Sequence, residues 1–183
     1  MQRQVDPETL ELECFTGNEV ITGFVRCPTE LRLIDALNSG ERSNGGPFVH
    51  FVDPFDTGAV RADGKAGDVC AVSKSAIYFA AVSDPDIRRG AGANGGRGFH
   101  PFVLKSPVQV SLRLAEYKLT GRIHLCQGQT IDAVLKESSQ FVPMTEVAIA
   151  REDWSYGSRP FVAVNREHVI GSAEEISPRQ ASR

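Results

Sequence analysis

No stretch of the sequence approaches the ~18–20 consecutive apolar residues that span a membrane, and no apolar run follows Met1-Gln2-Arg3-Gln4. Neither a membrane span nor a secretory leader is therefore expected. The four cysteines, Cys14, Cys27, Cys70 and Cys126, include no Cys-x-x-Cys pair. Three of the four sit in alternating or apolar contexts, so they read as reduced, core-facing thiols of a cytoplasmic protein.

His50, His100, His124 and His168 lie far apart, and none pairs with a second ligand at metal-binding spacing. A metal site needs three or four converging ligands. The nearest approach to one is His124 with Cys126 on one strand face, with Cys27 free to come near. No metal and no cofactor are expected. Ser-x-x-Lys, Gly-x-Ser-x-Gly and His-Glu-x-x-His are all missing. A positive balance is also lacking: the net charge is −3, which disfavours a nucleic-acid partner, because binding a phosphate backbone takes neutralising Lys and Arg.

What is present is a pattern that occurs twice. Leu10, Leu12, Cys14 and Thr16 alternate before Thr22-Gly23; Val108, Val110, Leu112 and Leu114 alternate before Thr120-Gly121. Val25 and Cys27 follow the first pair, and Ile123 and Leu125 follow the second. Ile34-Asp35-Ala36-Leu37 answers Ile131-Asp132-Ala133-Val134, and Phe48-Val49-His50-Phe51 answers Phe141-Val142-Pro143-Met144. Val72-Ser73-Lys74 answers Val164-Asn165-Arg166, and Ile77 answers Val169. Recurrence in a fixed order is the mark of an internal repeat.

Period-two alternation over residues 10–16 predicts a half-buried strand. Phe15-Thr16-Gly17-Asn18-Glu19 predicts a hairpin turn into a second strand, Val20 to Cys27. Gly23 and Gly121, each inside a strand, mark a bulge or a close approach. Leu31, Ile34 and Leu37 predict a short helix, Glu30 to Asn38, with Thr29 as its cap; Gln129 to Ser138 predicts its counterpart. Pro47 to Val52 reads as a strand broken by Asp53-Pro54-Phe55-Asp56. A hairpin, Val69 to Ser73 and Ala76 to Val82, closes the first unit. Phe161 to Val164 and His168 to Ile170 play the same parts in the second.

The expected fold is α+β and mostly β: two tandem homologous units of strand-strand-short helix-strand-hairpin, packed with pseudo-twofold symmetry. A small barrel within each unit is the variant form. The units span residues 8–82 and 108–173. A Gly/Arg-rich linker or long loop covers 83–107, and a disordered tail covers 174–183. Residues 1–80 carry 7 Lys and Arg against 12 Asp and Glu, whereas 108–171 carry 7 against 7, so the outer faces of the two units are not equivalent.

Gly90-x-Gly92-x-x-Gly95 has the letters of a dinucleotide fingerprint. That chemistry needs a strand leading directly through the glycines into a helix. Asp84 to Arg89 intervene, and Phe99-His100-Pro101-Phe102 follow, so the stretch reads as linker. Asp53, Asp56, Asp63 and Asp68 are clustered carboxylates, but Asp-Pro is itself a turn former.

The more informative candidates are loop aromatics mixed with arginine. These are Trp154, Tyr156, Arg151 and Arg159 in the second unit, and Arg88, Arg89, Arg97, Phe99 and Phe102 in or beside the linker. Such mixtures bury area at interfaces while keeping a polar handle; the alternative is that the rings fold back over the ends of the core. With no catalytic, cofactor or metal residues assigned, the leading expectation is a non-enzymatic binding or regulatory module that works through protein contacts. One alternative is a homo-oligomeric assembly protein whose edge strands pair between chains. Another is a small enzyme with His50, Asp53, Asp56 and Cys70 converging in the first unit.

Overall fold

The computed structural model describes residues 9–27, 32–39, 46–55, 69–82, 104–136, 139–152 and 154–174. They form one ten-stranded, wholly antiparallel sheet with two short helices. In chain order the first half comprises β1 (Thr9–Thr16), β2 (Val20–Arg26), α1 (Leu33–Asn38), β3 (Phe48–Phe55), β4 (Val69–Ser73), a one-turn 3₁₀ helix (Lys74–Ala76) and β5 (Ile77–Val82). The second comprises β6 (Lys105–Leu114), β7 (Tyr117–Cys126), α2 (Ile131–Lys136), β8 (Phe141–Arg151), β9 (Trp154–Asn165), a 3₁₀ turn (Arg166–His168) and β10 (Gly171–Glu174). The strand order across the sheet is β10-β6-β7-β8-β9-β5-β1-β2-β3-β4. The chain is thus α+β and mostly β.

Local chemistry accounts for the first hairpin. Thr16 Oγ1 accepts from the amides of Asn18 and Glu19 and donates to Glu19 O at 2.9 Å, which satisfies the turn that joins β1 to β2. In β2 the glycine does mark a bulge: pairing with β3 shifts between Thr22 and Phe24. Pairing of β7 with β8 shifts between Thr120 and Arg122, around Gly121. A Cβ at Gly121 would meet Thr145 O at 2.9 Å and Val147 Cα at 3.0 Å, so the backbone of β8 occupies the space a side chain would need.

Four boundaries depart from the sequence reading. The strand expected to break at Asp53-Pro54 runs on to Phe55, because both residues fall within the bulge opposite Gly23, where no ladder N–H is required of a proline. Residues 105–107, assigned to the linker, begin β6. The last strand is Gly171–Glu174 rather than His168–Ile170, because Arg166–His168 turn as a 3₁₀ helix first. Glu174, placed in the tail, therefore ends a strand. The helices start later than expected, at Leu33 and Ile131; Thr29, Glu30, Glu137 and Ser138, with residues 83–103 of the linker and 175–183 of the tail, lie outside the described residues.

Two apolar clusters fill the interior. One gathers Leu10, Leu12 and Cys14 of β1 with Leu33, Ile34 and Leu37 of α1, and takes in Phe141, Phe161 and Ala163 from the second half. The other gathers Leu112, Leu119, Ile123 and Met144, and takes in Phe15, Phe79 and Ala81 from the first. The central pair β5 and β9 is therefore buried on both faces: Ala80 and Ala163 serve the first cluster, and Ala81 and Val162 the second. Strands buried on both faces read as continuous apolar runs, as Ile77–Val82 does.

Candidate protein-contact surface

The junction between the halves positions the site. β5 pairs with β9 through Phe79–Val164, Ala80–Ala163 and Ala81–Val162. Polar clamps reinforce it. Asn165, wholly buried, donates through Nδ2 to Lys74 O at 3.1 Å and Ile77 O at 2.9 Å. Asn38, the last residue of α1, donates to Phe141 O and accepts from Phe141 N, both at 2.8 Å. His168 donates from Nε2 to Ser75 O at 2.7 Å, which fixes its tautomer, since a carbonyl can only accept. Arg159 grips Glu13 of β1 with two bonds, at 2.7 and 3.0 Å, and this pairing raises the guanidinium pKa.

Beyond the junction, β8 and β9 continue as a hairpin arm paired as far as Arg151–Trp154, with β7 alongside β8 as far as Tyr117–Arg151. The sequence reading placed residues 151–159 in a loop; the ladder makes Trp154–Arg159 strand instead. The period-two signal is missing from this part of β9 because residues 154–160 have no buried side, whereas β8 opposite alternates around buried Val147 and Ile149. An aromatic cluster packs along the arm. Phe15 stacks on Phe79 with centroids 4.3 Å apart, and Tyr117 and Tyr156 meet Phe15 edge-on at 5.7 and 5.5 Å. Burial, with Tyr156 and Glu116 adding and Arg151 opposing, pushes the Tyr117 phenol up to about 12. Arg151 lies 5.6 Å over the Tyr117 ring and pairs with Glu116 at 3.3 Å; its pKa is raised, chiefly by a hydrogen bond to Tyr156.

The candidates therefore divide. Tyr156 and Arg159 face inward and anchor the arm. Arg151 and Trp154 stand across from each other at its tip, with Trp154 69% exposed. Arg88, Arg89, Arg97, Phe99 and Phe102 lie outside the described residues. Glu13, Glu116 and Tyr117, which hold the arm, were not singled out from sequence; a Glu on a strand's wet face gives no signal of a partner 146 residues away.

Of the first-unit polar residues, the backbone places three on β3 and β4. His50 pairs with Ala71 and Phe51 with Cys70 on successive rungs of the ladder, Asp53 falls in the bulge, and Asp56 lies outside the described residues. His124 Nε2 is engaged with Thr145 Oγ1 at 3.1 Å. Among the described residues no three His, Cys, Asp or Glu side chains gather as metal ligands, and no helix is long and apolar enough to cross a membrane. An open groove of about 570 Å³ runs along Ser111, Arg113, Glu116, Tyr117, Lys118 and Ser172. Compared with protein-family models, with curated proteins and with solved structures, the chain matches none.

Proposed function

We propose that this chain is a non-enzymatic binding module, cytoplasmic, that acts through protein contacts, with Trp154 as the anchor of its contact surface. The observation that carries the reading is Trp154 itself. It is the chain's one tryptophan and 69% exposed, and it sits at the end of an arm braced by Tyr156, Arg159 and Arg151. Tryptophan and arginine are the residues most often found as interface anchors, because they bury a large area at low conformational cost. A rigid arm has already lost the freedom that binding would otherwise remove.

Replacing Trp154 by a photo-crosslinking aromatic residue tests this. Adducts to a protein partner are expected from position 154 and not from exposed Glu167. Trp154→Ala should abolish partner binding while shifting stability by less than about 0.5 kcal/mol, the usual effect of a surface change. Crosslinks equal at both positions, or binding that survives Trp154→Ala, would overturn the reading.

We also propose that the two halves are a tandem duplication. Two features support it: the matching element order and the recurrence of registers. Leu12–Gly23 recurs as Val110–Gly121, Phe24–Val52 as Arg122–Thr145, and Thr22–Phe55 as Thr120–Ala148. Phe48–Ser73 recurs as Phe141–Asn165, and Phe15–Phe79 as Arg113–Gly171. Lys74 Nζ reaches Ser39 O, just past α1, and Arg166 Nη1 reaches Leu135 O near the end of α2, each at 3.4 Å; a cation suits a helix C-terminus. The relation we propose is head-to-tail rather than the pseudo-twofold expected from sequence. A twofold would pair β4 with β10 as β9 pairs with β5, and β4 and β10 are instead the two ends of the sheet.

A further inference from the structure

We infer that the two open edges of the sheet are docking surfaces for second copies of this chain, β10 of one copy pairing antiparallel with β4 of the next. The inference rests on the duplication just proposed. In that reading β10 occupies the place of β5, and β4 the place of β9; within the chain β5 and β9 are paired. Among the described residues, each copy thus carries, unpaired at its two ends, the two halves of a junction it has already made once.

Exposure follows the same equivalence. Phe141 is buried against the other half, while its counterpart Phe48 is 43% exposed. Tyr78 packs across the junction, 4.7 Å from the His168 ring and 6.4 Å from the Tyr117 ring; its counterpart Ile170 is 67% exposed. Ala163 and Ala80 are buried, while Ala71 and Ser172 are exposed.

Natural edge strands are usually blunted by proline, lysine or a bulge. Val69–Ser73 has no proline and no charge, and Gly171–Glu174 carries charge only at its last residue. Carrying the internal register over sets Gly171 against Val72, Ser172 against Ala71, and Ala173 against Cys70.

A head-to-tail contact leaves a free edge on every added copy, so it builds a ring if the rotation closes and a filament if it does not. The polar clamps have no full counterparts at these edges: Ser111 stands in the place of Glu13, and Ser73 in that of Asn165. Association is therefore weaker than the internal junction and depends on concentration.

The test mixes two full-length chains, Ala71→Cys and Ser172→Cys, both in a Cys70→Ser, Cys126→Ser background, under mild oxidation. Antiparallel partners lie about 4.5–5.5 Å apart at Cα, within the roughly 4.4–6.8 Å a disulfide spans. A disulfide-linked pair of chains is expected. Mixing Ala71→Cys with Ala173→Cys should yield at least several-fold less, because adjacent strand residues face opposite ways.

Ser172→Pro, which removes a ladder donor, should abolish the oligomers seen in sedimentation without altering the circular dichroism. Monomer at every concentration, equal crosslinking in both mixtures, or oligomers insensitive to Ser172→Pro would each overturn the inference. The duplication fails on a different result, an experimental structure in which Gly23 and Ile77 do not superpose on Gly121 and Val169.

Discussion

Asn165 shows how much one side chain can hold. Its amide donates to two carbonyls in the turn after β4, and its Oδ1 accepts from Glu167 N. Asn165→Leu keeps the size but takes a donor from Ile77 O and the acceptor from Glu167 N, while Lys74 O keeps the Ile77 amide; a buried polar group left unmet costs about 1–3 kcal/mol. A loss of roughly 2–4 kcal/mol is expected from urea unfolding; a change under 0.5 kcal/mol would mean these groups find water instead. Cys14 carries the second residue-level prediction. Burial pushes its thiol pKa well above the usual range, and the unfolded thiol titrates near ~8.5. The folded value is the raised one, so this stability is whole below about pH 8.5 and is lost as pH rises. Tyr117 adds to the fall from about pH 10, up to its folded value of about 12. Each fully ionised group contributes a slope of about 1.4 kcal/mol per pH unit. Denaturant midpoints should stay flat to about pH 8.5 and then decline, with Cys14→Ala removing the first part of the slope. A profile unchanged in Cys14→Ala would refute that assignment. The period-two pattern made Cys14 legible as a core residue; Asn165 was visible only as the counterpart of Ser73, because its partners lie 91 and 88 residues away.

At the scale of elements, the bulge at Gly121 is a sharper test than the helices. A Cβ there would press on two backbone atoms, Thr145 O and Val147 Cα, as well as on Val147 Cγ2, and the backbone cannot swing aside. Gly121→Ala should therefore cost about 1–3 kcal/mol, the range for overpacking. At Gly171, where nothing lies within 4 Å, the same change should cost little. Thermal melts of the two variants check this; equal shifts would remove the steric account. The glycine was readable from sequence as a bulge or close approach, since it interrupts an apolar alternation. The outer part of β9 was not, because residues 154–160 have no buried face to set up a pattern. Both helices are six residues long, too short to persist alone. They are held by packing and by Arg32 with Asp35 in α1, and by Thr130 Oγ1, which accepts from Ala133 N, in α2.

At the scale of the whole molecule, the two clusters interlock through β5 and β9, and neither half closes its core without residues of the other. Residues separated in this way are expected to unfold together despite the repeat. Calorimetry should give one transition, with van't Hoff and calorimetric enthalpies equal. Two resolved transitions would show that the halves are independent. The junction is also where the assembly inference gets its template, since the contact that unites the halves is one the sheet ends lack.

By itself the sequence determined most of the strands, both helix positions, the bulge glycines and the apolar faces, because each depends on the periodicity of neighbouring residues and on local turn chemistry. It also carried the repeated motifs that prompted a duplication. Only the tertiary structure decided that β5 lies against β9, that β4 and β10 end the sheet, that Tyr156 and Arg159 turn inward while Trp154 stays out, and that Asn38, Glu13 and Asn165 clamp the junction. The physical reason is separation. Sheet order and side-chain partnership join residues some 90 to 150 positions apart, and nothing in the spacing of neighbours along a chain encodes which distant strand will meet them.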